Sequence, residues 1–118
     1  MANVIRFDQD GALRPDLVGG KAASLGRASA MGFKVPPGFS VTTAAHSEFL
    51  AGDTLAERIH PIVASLDLND AAALESRTGE IRALITTTEI PPAIVADIKA
   101  AYASFGDDVF VAVRSSGT

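Results

Sequence analysis

The chain contains no cysteine and no tryptophan, and it has only two histidines among its 118 residues. Without cysteine there can be no disulfide framework, no thiol nucleophile and no thiolate metal site. The two histidines, His46 and His60, have no second ligand at metal-binding spacing, so we interpret both as ordinary helix residues. The sequence therefore predicts no metal site within this chain.

Long apolar runs and an excess of positive charge are also lacking. No apolar run approaches the roughly 18 residues needed to span a membrane. A net charge of −4 and a pI near 5.0 argue against nucleic acid and anionic membranes as partners. Residues Met1–Arg6 lack a basic stretch followed by an apolar one, so we expect no secretion signal and predict a cytoplasmic location.

The composition is that of an ordinary globular chain. Hydrophobic residues make up 47% of the sequence and charged residues 20%. A chain of 118 residues is long enough to bury a core, as one domain or as part of one. The order of apolar runs and helical patterns predicts a mixed α/β unit with short strands and four or five helices.

Three short runs are typical of β-strands. Val4–Phe7 is closed by turn-forming residues, and Phe39–Val41 alternates after a Pro-Pro-Gly turn. Val109–Val113 is an uninterrupted apolar run of strand length. Such a run favours a strand that is buried on both faces, which is our prediction for it.

The helices are predicted from apolar spacing and from capping residues. A helix from Lys21 is expected to end at Gly32 and to pack through a narrow stripe that includes Leu25 and Met31. The other helices are expected to begin at Thr42 or Thr43, at Thr54, at Asp70 and at the pair Pro91-Pro92.

One of these helices carries two special signals. Thr54 and Glu57 have the spacing of a capping box, in which each side chain accepts from a backbone amide of the other residue. Pro61 lies within the same helical pattern and lacks an N–H. We therefore expect a kink or break near His60.

The stretch Gly19-Gly20-Lys21 is the first candidate for function. Its glycines permit a tight turn, and the residues that follow are typical of the first turns of a helix. A phosphate at this position would satisfy free helix amides, the helix dipole and the lysine together. The alternative is a loop with a solvated surface lysine, and these residues alone leave both interpretations open.

The second candidate is the segment Arg114–Thr118, which directly follows the apolar run. Ligands of α/β sheets bind beyond the carboxyl ends of strands, where this arginine is expected. A guanidinium group binds phosphate oxygens bidentately, and Ser115, Ser116 and Thr118 add hydroxyl donors. The alternative is a strand-end arginine paired with a surface carboxylate and followed by a solvated turn.

Three segments together resemble one family. Gly19–Leu25, Val35–Thr43 and Val111–Ser116, in this order and spacing, look like the opening of the nucleotide-binding domain of phosphoenolpyruvate synthase and pyruvate, phosphate dikinase. Rifampin phosphotransferases share that domain. The resemblance covers essentially the whole chain, and it rests on the three segments together, because Gly-Gly-Lys alone is a weak signal.

The resemblance implies that residues 1–118 are the N-terminal part of a nucleotide-binding domain of the ATP-grasp type. Enzymes of this group transfer a phosphoryl group from ATP to a carrier histidine on a separate domain, and then to pyruvate or another acceptor. By match to the family's motifs, Lys21 and Arg114 would bind the ATP phosphates. Further contacts are expected from the flanking residues Gly19, Gly20, Ser115, Ser116 and Thr118.

The family also implies Mg²⁺, but the acidic residues that would hold it do not correspond to any part of this sequence. The same is true of the carrier-histidine domain and the pyruvate-binding barrel, and neither His46 nor His60 lies in a carrier-histidine motif. The sequence has Ser116-Gly117-Thr118 where the family commonly has Ser-Ala-Thr, a mild departure. Whether the chain is an enzyme by itself is therefore left open.

We carry two functional hypotheses. The first is that the chain is the ATP-binding portion of a phosphotransferase. This portion would be inactive alone and would require the remainder of the enzyme or another chain. The parent enzyme would resemble phosphoenolpyruvate synthase or, alternatively, a rifampin phosphotransferase. The second is a non-catalytic remnant or partner-dependent binding module.

Overall fold

The computed structural model describes residues 2–118, which divide into two units. The first unit contains the residues up to Ser47 together with Pro92–Thr118, and the second contains Glu48–Pro91. The first unit is therefore built from two parts of the sequence that are separated by the whole of the second. Both candidate phosphate-binding segments belong to it.

The first unit contains a two-stranded antiparallel sheet. Strand β1 (Val4–Arg6) pairs with β2 (Phe39–Val41), with Ile5 opposite Ser40. The Pro-Pro-Gly turn leads into β2, and Gly38 accepts a hydrogen bond from the amide of Phe7 at 3.1 Å. A Cβ at Gly38 would overlap the ring of Phe7, so this close approach requires glycine.

Three short helical segments follow β1 and lead to the first candidate site. A 3-10 helix (Asp10–Leu13) precedes helix α1 (Pro15–Val18), a single turn, and helix α2 (Gly20–Ala30). A small cluster of buried residues joins them to β1; it consists of Ile5, Ala12, Val18, Ala22 and Ala23, with Leu17 packed against it.

Helix α2 packs closely, but on a different face from the one predicted. Leu25 and Met31 are exposed, and the buried residues are Ala22, Ala23 and Gly26. Gly26 lies so close to Ala12 that a Cβ would crowd the Ala12 carbonyl. The prediction of a small-residue stripe is thus correct, but Leu25 and Met31 are wrongly placed in it. The helix ends as expected, with Gly32 at φ 89°.

The first unit is completed by the start of helix α3 (Thr43–Ala51) and by helix α6 (Pro92–Ala103). The hydroxyl of Thr42 accepts from the amide of Ala45 at 3.2 Å, which confirms the predicted cap of α3. Beyond α6, the ring of Phe105 stacks on that of Phe39 with centroids 5.8 Å apart.

The second unit holds helices α4 (Leu55–Ala64) and α5 (Ala71–Thr87). Asp70 caps α5 as predicted, since its carboxylate accepts from the amide of Ala73 at 3.0 Å. The capping box at the start of α4 is wrong. Thr54 adopts a left-handed backbone with φ 52°, which turns its hydroxyl to the Asp53 carbonyl instead of to an α4 amide.

Of the kink or break expected near His60, the break is wrong. Helix α4 runs through Pro61 to Ala64. Proline removes one backbone hydrogen bond from a helix interior, and only three more residues follow it here. Because Pro61 lies close to the end of α4, the missing backbone hydrogen bond does not end the helix.

The predicted third strand, Val109–Val113, is absent from the described residues. These residues form no β-ladder, and Phe110 and Val113 are 101% and 91% exposed. An apolar run becomes a buried strand only when neighbouring strands cover it, and within residues 2–118 none does. The fold class itself is confirmed: the chain is mixed, with short strands and five helices of nine residues or more in the part described.

Candidate functional site

The two candidate segments, far apart in sequence, lie against each other in the structure. The amide of Gly20 donates to the carbonyl of Gly117 at 2.8 Å, and the amide of Ala22 donates to Oγ of Ser116 at 3.0 Å. The second bond joins residues 94 positions apart. The C-terminal segment therefore caps the N-terminus of α2.

Gly19 makes this contact sterically possible. It precedes α2 with φ 82° and ψ 164°, a conformation that L-residues with side chains rarely adopt. A Cβ at this position would overlap the carbonyl oxygen and Oγ of Ser116. The first glycine of the pair thus serves both the backbone turn and the approach of the tail.

The free N–H groups at the start of α2 can be accounted for one by one. Those of Gly20 and Ala22 are used by the tail, and that of Ala23 donates to the Gly19 carbonyl at 3.0 Å. The amide of Lys21 has no hydrogen-bond partner in residues 2–118. One amide of the first turn is therefore left for an outside acceptor.

Lys21 and Arg114 both expose their side chains to solvent. The ion pairs formed within residues 2–118 involve Arg14, Arg77 and Arg82, and neither candidate cation takes part in one. Ser115 and Thr118 are likewise exposed, while Ser116 is half-buried by its contact with α2. The surface around the contact thus presents two cations and two hydroxyls without partners in the part of the chain described.

A further contact holds the middle segment of the three near the same place. The hydroxyl of Thr43, at the start of α3, donates to the carbonyl of Asp16 at 2.7 Å. Asp16 lies in the turn of helix that precedes Gly19. All three segments singled out in the sequence are thus linked within the first unit.

A shallow cleft in the first unit lies apart from this site. Its volume is about 230 Å³, and none of the predicted phosphate-binding residues lines it. Asp8 and Asp10 are on its wall, where their negative charge would oppose a polyphosphate. The cleft therefore does not extend the candidate site.

Mg²⁺ binds to carboxylate oxygens in near-octahedral geometry. Within residues 2–118, no three His, Asp or Glu side chains are grouped closely enough to hold a metal ion. Since Mg²⁺ is usually bound through one or two carboxylates together with phosphate oxygens, the site that the resemblance implies stays a prediction.

The sequence did not reveal that Ser116 caps α2. It pointed to Ser116 as a phosphate donor, and this stays a prediction, because a hydroxyl that accepts from the amide of Ala22 can still donate its own O–H. No local pattern could have indicated the cap, because the two residues lie 94 positions apart. The binding roles of Lys21 and Arg114 stay predictions.

Comparison with known proteins places this chain in a family of nucleotide-binding domains. The sequence profile of the family described as "Pyruvate phosphate dikinase, AMP/ATP-binding domain" matches residues 15–118. The chain belongs to that family. No helix in the described residues is long and apolar enough to cross a membrane.

Individual relatives agree with this. The chain is 43% identical over 110 residues to the phosphoenolpyruvate synthase of Neisseria meningitidis serogroup B, covering 86% of this chain and 14% of that protein. It is 37% identical over 117 residues to a probable phosphoenolpyruvate synthase of Methanothermobacter thermautotrophicus, covering 95% of this chain and 17% of that one. A probable phosphoenolpyruvate synthase of Staphylothermus marinus is 38% identical over 109 residues, with 86% and 13% covered. The chain thus spans less than a fifth of these relatives.

Proposed function

We propose that this chain supplies part of the ATP phosphate-binding surface of a phosphotransferase that resembles phosphoenolpyruvate synthase. The observation that carries the proposal is the docking of the segment before Thr118 on the N-terminus of α2. This contact brings together the two segments that contain Lys21 and Arg114, and both of these side chains are exposed to solvent. Phosphoryl transfer depends mainly on positioning and on charge stabilisation, which fixed cations provide.

In this proposal the phosphates take the donors that the protein leaves free. These are the Lys21 amide and ammonium, the Arg114 guanidinium, and the hydroxyls of Ser115 and Thr118. Gly19 and Gly20 shape the turn, and Ser116 holds the tail in place. ATP is the ligand that we propose, and its Mg²⁺ would be held by residues outside this chain.

The isolated chain is expected to bind ATP weakly. Charge-assisted hydrogen bonds contribute about 1.5–3 kcal/mol each, so Lys21 and Arg114 together would supply about 3–6 kcal/mol. Micromolar affinity needs about 8 kcal/mol. Since millimolar affinity corresponds to about 4 kcal/mol and association also costs entropy, we propose a millimolar or weaker dissociation constant and no turnover by the chain alone.

An NMR titration with ATP tests this directly. The amide signals of residues 19–22 and 114–118 should shift, and Lys21→Ala or Arg114→Ala should weaken binding about tenfold or more. Lys99→Ala, which removes an exposed lysine of α6, is the matched control and should change nothing. Equal effects of all three variants, or tight binding that none of them alters, would contradict the proposal.

We further propose that the transfer to a carrier histidine and then to pyruvate is performed by a larger enzyme. The relatives named phosphoenolpyruvate synthase support this, because the chain corresponds to less than a fifth of each. Sequencing the coding DNA beyond the Thr118 codon tests it. An in-frame continuation into such an enzyme supports the proposal, while an immediate stop codon with no nearby reading frame of this type contradicts it.

The ATP-grasp architecture and the cytoplasmic location stay predictions. A rifampin phosphotransferase-like parent and a non-catalytic remnant stay the alternatives. The exposed segment 109–113 does not distinguish a piece of a larger enzyme from a partner-dependent module, because an uncovered apolar segment is expected of both.

A further inference from the structure

A single glycine separates two helices that would otherwise run on as one. Helices α1 and α2 lie on either side of Gly19, whose φ of 82° and ψ of 164° are not helical. In an uninterrupted helix the amide of Gly20 would donate to the carbonyl of Asp16, four residues earlier. It donates instead to the carbonyl of Gly117 at 2.8 Å. The C-terminal segment thus binds an amide that an uninterrupted helix would use itself.

The same break supplies the other amides of the candidate site. In an uninterrupted helix the amides of Lys21 and Ala22 would donate to the carbonyls of Leu17 and Val18. Here the Ala22 amide donates to Oγ of Ser116, and the Lys21 amide has no partner in residues 2–118. The candidate site therefore depends on the separation of α1 from α2.

The carbonyl of Asp16, which loses its helical partner at this break, has a different donor. The hydroxyl of Thr43 donates to it at 2.7 Å, from a position 27 residues further along the chain. A carbonyl in the last turn of a helix needs such a partner from outside the helix. Without the Thr43 hydroxyl, the Asp16 carbonyl would be free to compete with Gly117 for the amide of Gly20.

Thr43 is held in place by its neighbour. The hydroxyl of Thr42, which is 2% exposed, donates to the carbonyl of Ala2 at 2.8 Å and accepts from the amide of Ala45 at 3.2 Å. The amide of Thr42 donates to the carbonyl of Asn3 at 3.0 Å. These bonds hold the start of α3 without the Thr43 side chain, so we expect a substitution at Thr43 to leave α3 in place.

We propose that Thr43 is a positioning residue, which keeps α1 and α2 separate by occupying the Asp16 carbonyl with its hydroxyl. The amide of Gly20 then stays with the C-terminal segment, and that of Lys21 stays available to a ligand. The effect on ATP rests on the proposed function, whereas the effect on the helix junction can be measured without a ligand.

Three variants test the junction in the ligand-free chain. Thr43→Val keeps the shape of the side chain but removes the hydroxyl, and Thr43→Ser keeps the hydroxyl. Thr87→Val is the matched control, because the Thr87 hydroxyl also donates to a backbone carbonyl at 2.7 Å, that of Ala83 in α5. In NMR spectra, the scalar coupling through the hydrogen bond between the Gly20 amide and the Gly117 carbonyl should weaken in Thr43→Val alone.

Hydrogen exchange separates positioning from a general loss of stability. In Thr43→Val the Ala22 amide should exchange about threefold to tenfold faster, the effect expected from the loss of one hydrogen bond. The Phe7 amide, which is bonded to the Gly38 carbonyl in the same unit, should exchange as in the wild type. Thr43→Ser should behave like the wild type in both measurements. Equal acceleration at the two amides, or an unchanged coupling in Thr43→Val, overturns the proposal.

An NMR titration with ATP then measures the consequence for the site. Thr43→Val should raise the dissociation constant about threefold to tenfold, and Thr43→Ser should leave it within about twofold of the wild type. If the junction changes but ATP binds equally well, Thr43 does not position the binding surface and the proposal fails. If instead ATP binding responds to neither Lys21→Ala nor Arg114→Ala, the proposed function fails, and the coupling and exchange data alone decide whether Thr43 positions the junction.

Discussion

The Ala22 amide donates a hydrogen bond to the Ser116 hydroxyl, and this contact across 94 residues joins the two candidate phosphate-binding segments. Ala22 is 7% exposed, so its N–H has little access to water. Removing the acceptor would leave a poorly solvated donor without a partner. We therefore expect the contact to stabilise the fold measurably.

Ser116→Ala should lower the free energy of unfolding by about 0.5–2 kcal/mol, the usual cost of losing a helix cap. Ser115→Ala is the matched control, since Ser115 is exposed and makes no hydrogen bond in the described residues; its effect should lie within about 0.5 kcal/mol. Urea unfolding followed by circular dichroism measures both. An equal loss in the two variants would argue against the cap.

Gly19→Ala should be more damaging than Ser116→Ala. The backbone conformation alone costs an L-residue about 1–3 kcal/mol, and the new methyl group would also push Ser116 away. Amide hydrogen exchange should show faster exchange at both Gly20 and Ala22, because both bonds to the tail are lost together. Unchanged protection at these two amides would contradict the steric account of Gly19.

Alanine substitutions at two other glycines should change the free energy of unfolding in opposite directions. Gly26→Ala would crowd the Ala12 carbonyl and should destabilise by about 1–3 kcal/mol. Gly79 lies within α5, where a Cβ would meet only the flexible end of Arg82 at 3.7 Å. Gly79→Ala should therefore stabilise by about 0.5–1 kcal/mol through helix propensity. Thermal unfolding measures both variants. A Gly26→Ala variant that is as stable as the wild type would contradict the close packing of α2 against Ala12.

Thr54→Gly tests the start of α4. A capping threonine replaced by glycine would cost a few tenths of a kcal/mol. Here Thr54 has φ 52° and its hydroxyl accepts no hydrogen bond from an amide of α4, so glycine should instead stabilise the fold by about 1 kcal/mol. Asp70→Ala, which removes a true cap, should destabilise by about 1 kcal/mol in the same urea assay. A destabilising Thr54→Gly would restore the capping-box interpretation.

The sequence was sufficient where the cause of a structure is local. Asp70 caps α5, Thr42 caps α3, and Gly32 follows the end of α2, because each needs only neighbours within a few residues. The turn at Gly19 and the start of α2 directly after it are also local features. These features were predicted correctly.

Prediction was weaker where the outcome depends on distant parts of the chain. Leu25 belongs to a plausible packing face, but Ala12 meets the Gly26 side of α2 instead. The apolar composition of Val109–Val113 indicates a buried strand, yet burial needs covering partners that residues 2–118 do not provide. The cap by Ser116 has no local signature at all.

The division of the first unit into two parts of the sequence has a consequence for synthesis. When the residues up to Ser47 have left the ribosome, α2 has its sequence but not its cap, since Ser116 and Gly117 are translated some 70 residues later. The loop between α2 and Ser116 is long, and closing it costs conformational entropy before the cap can form and offset that cost. The nascent chain must therefore carry an incomplete first unit until translation has passed residue 117, and a chain released earlier would lack the cap of α2.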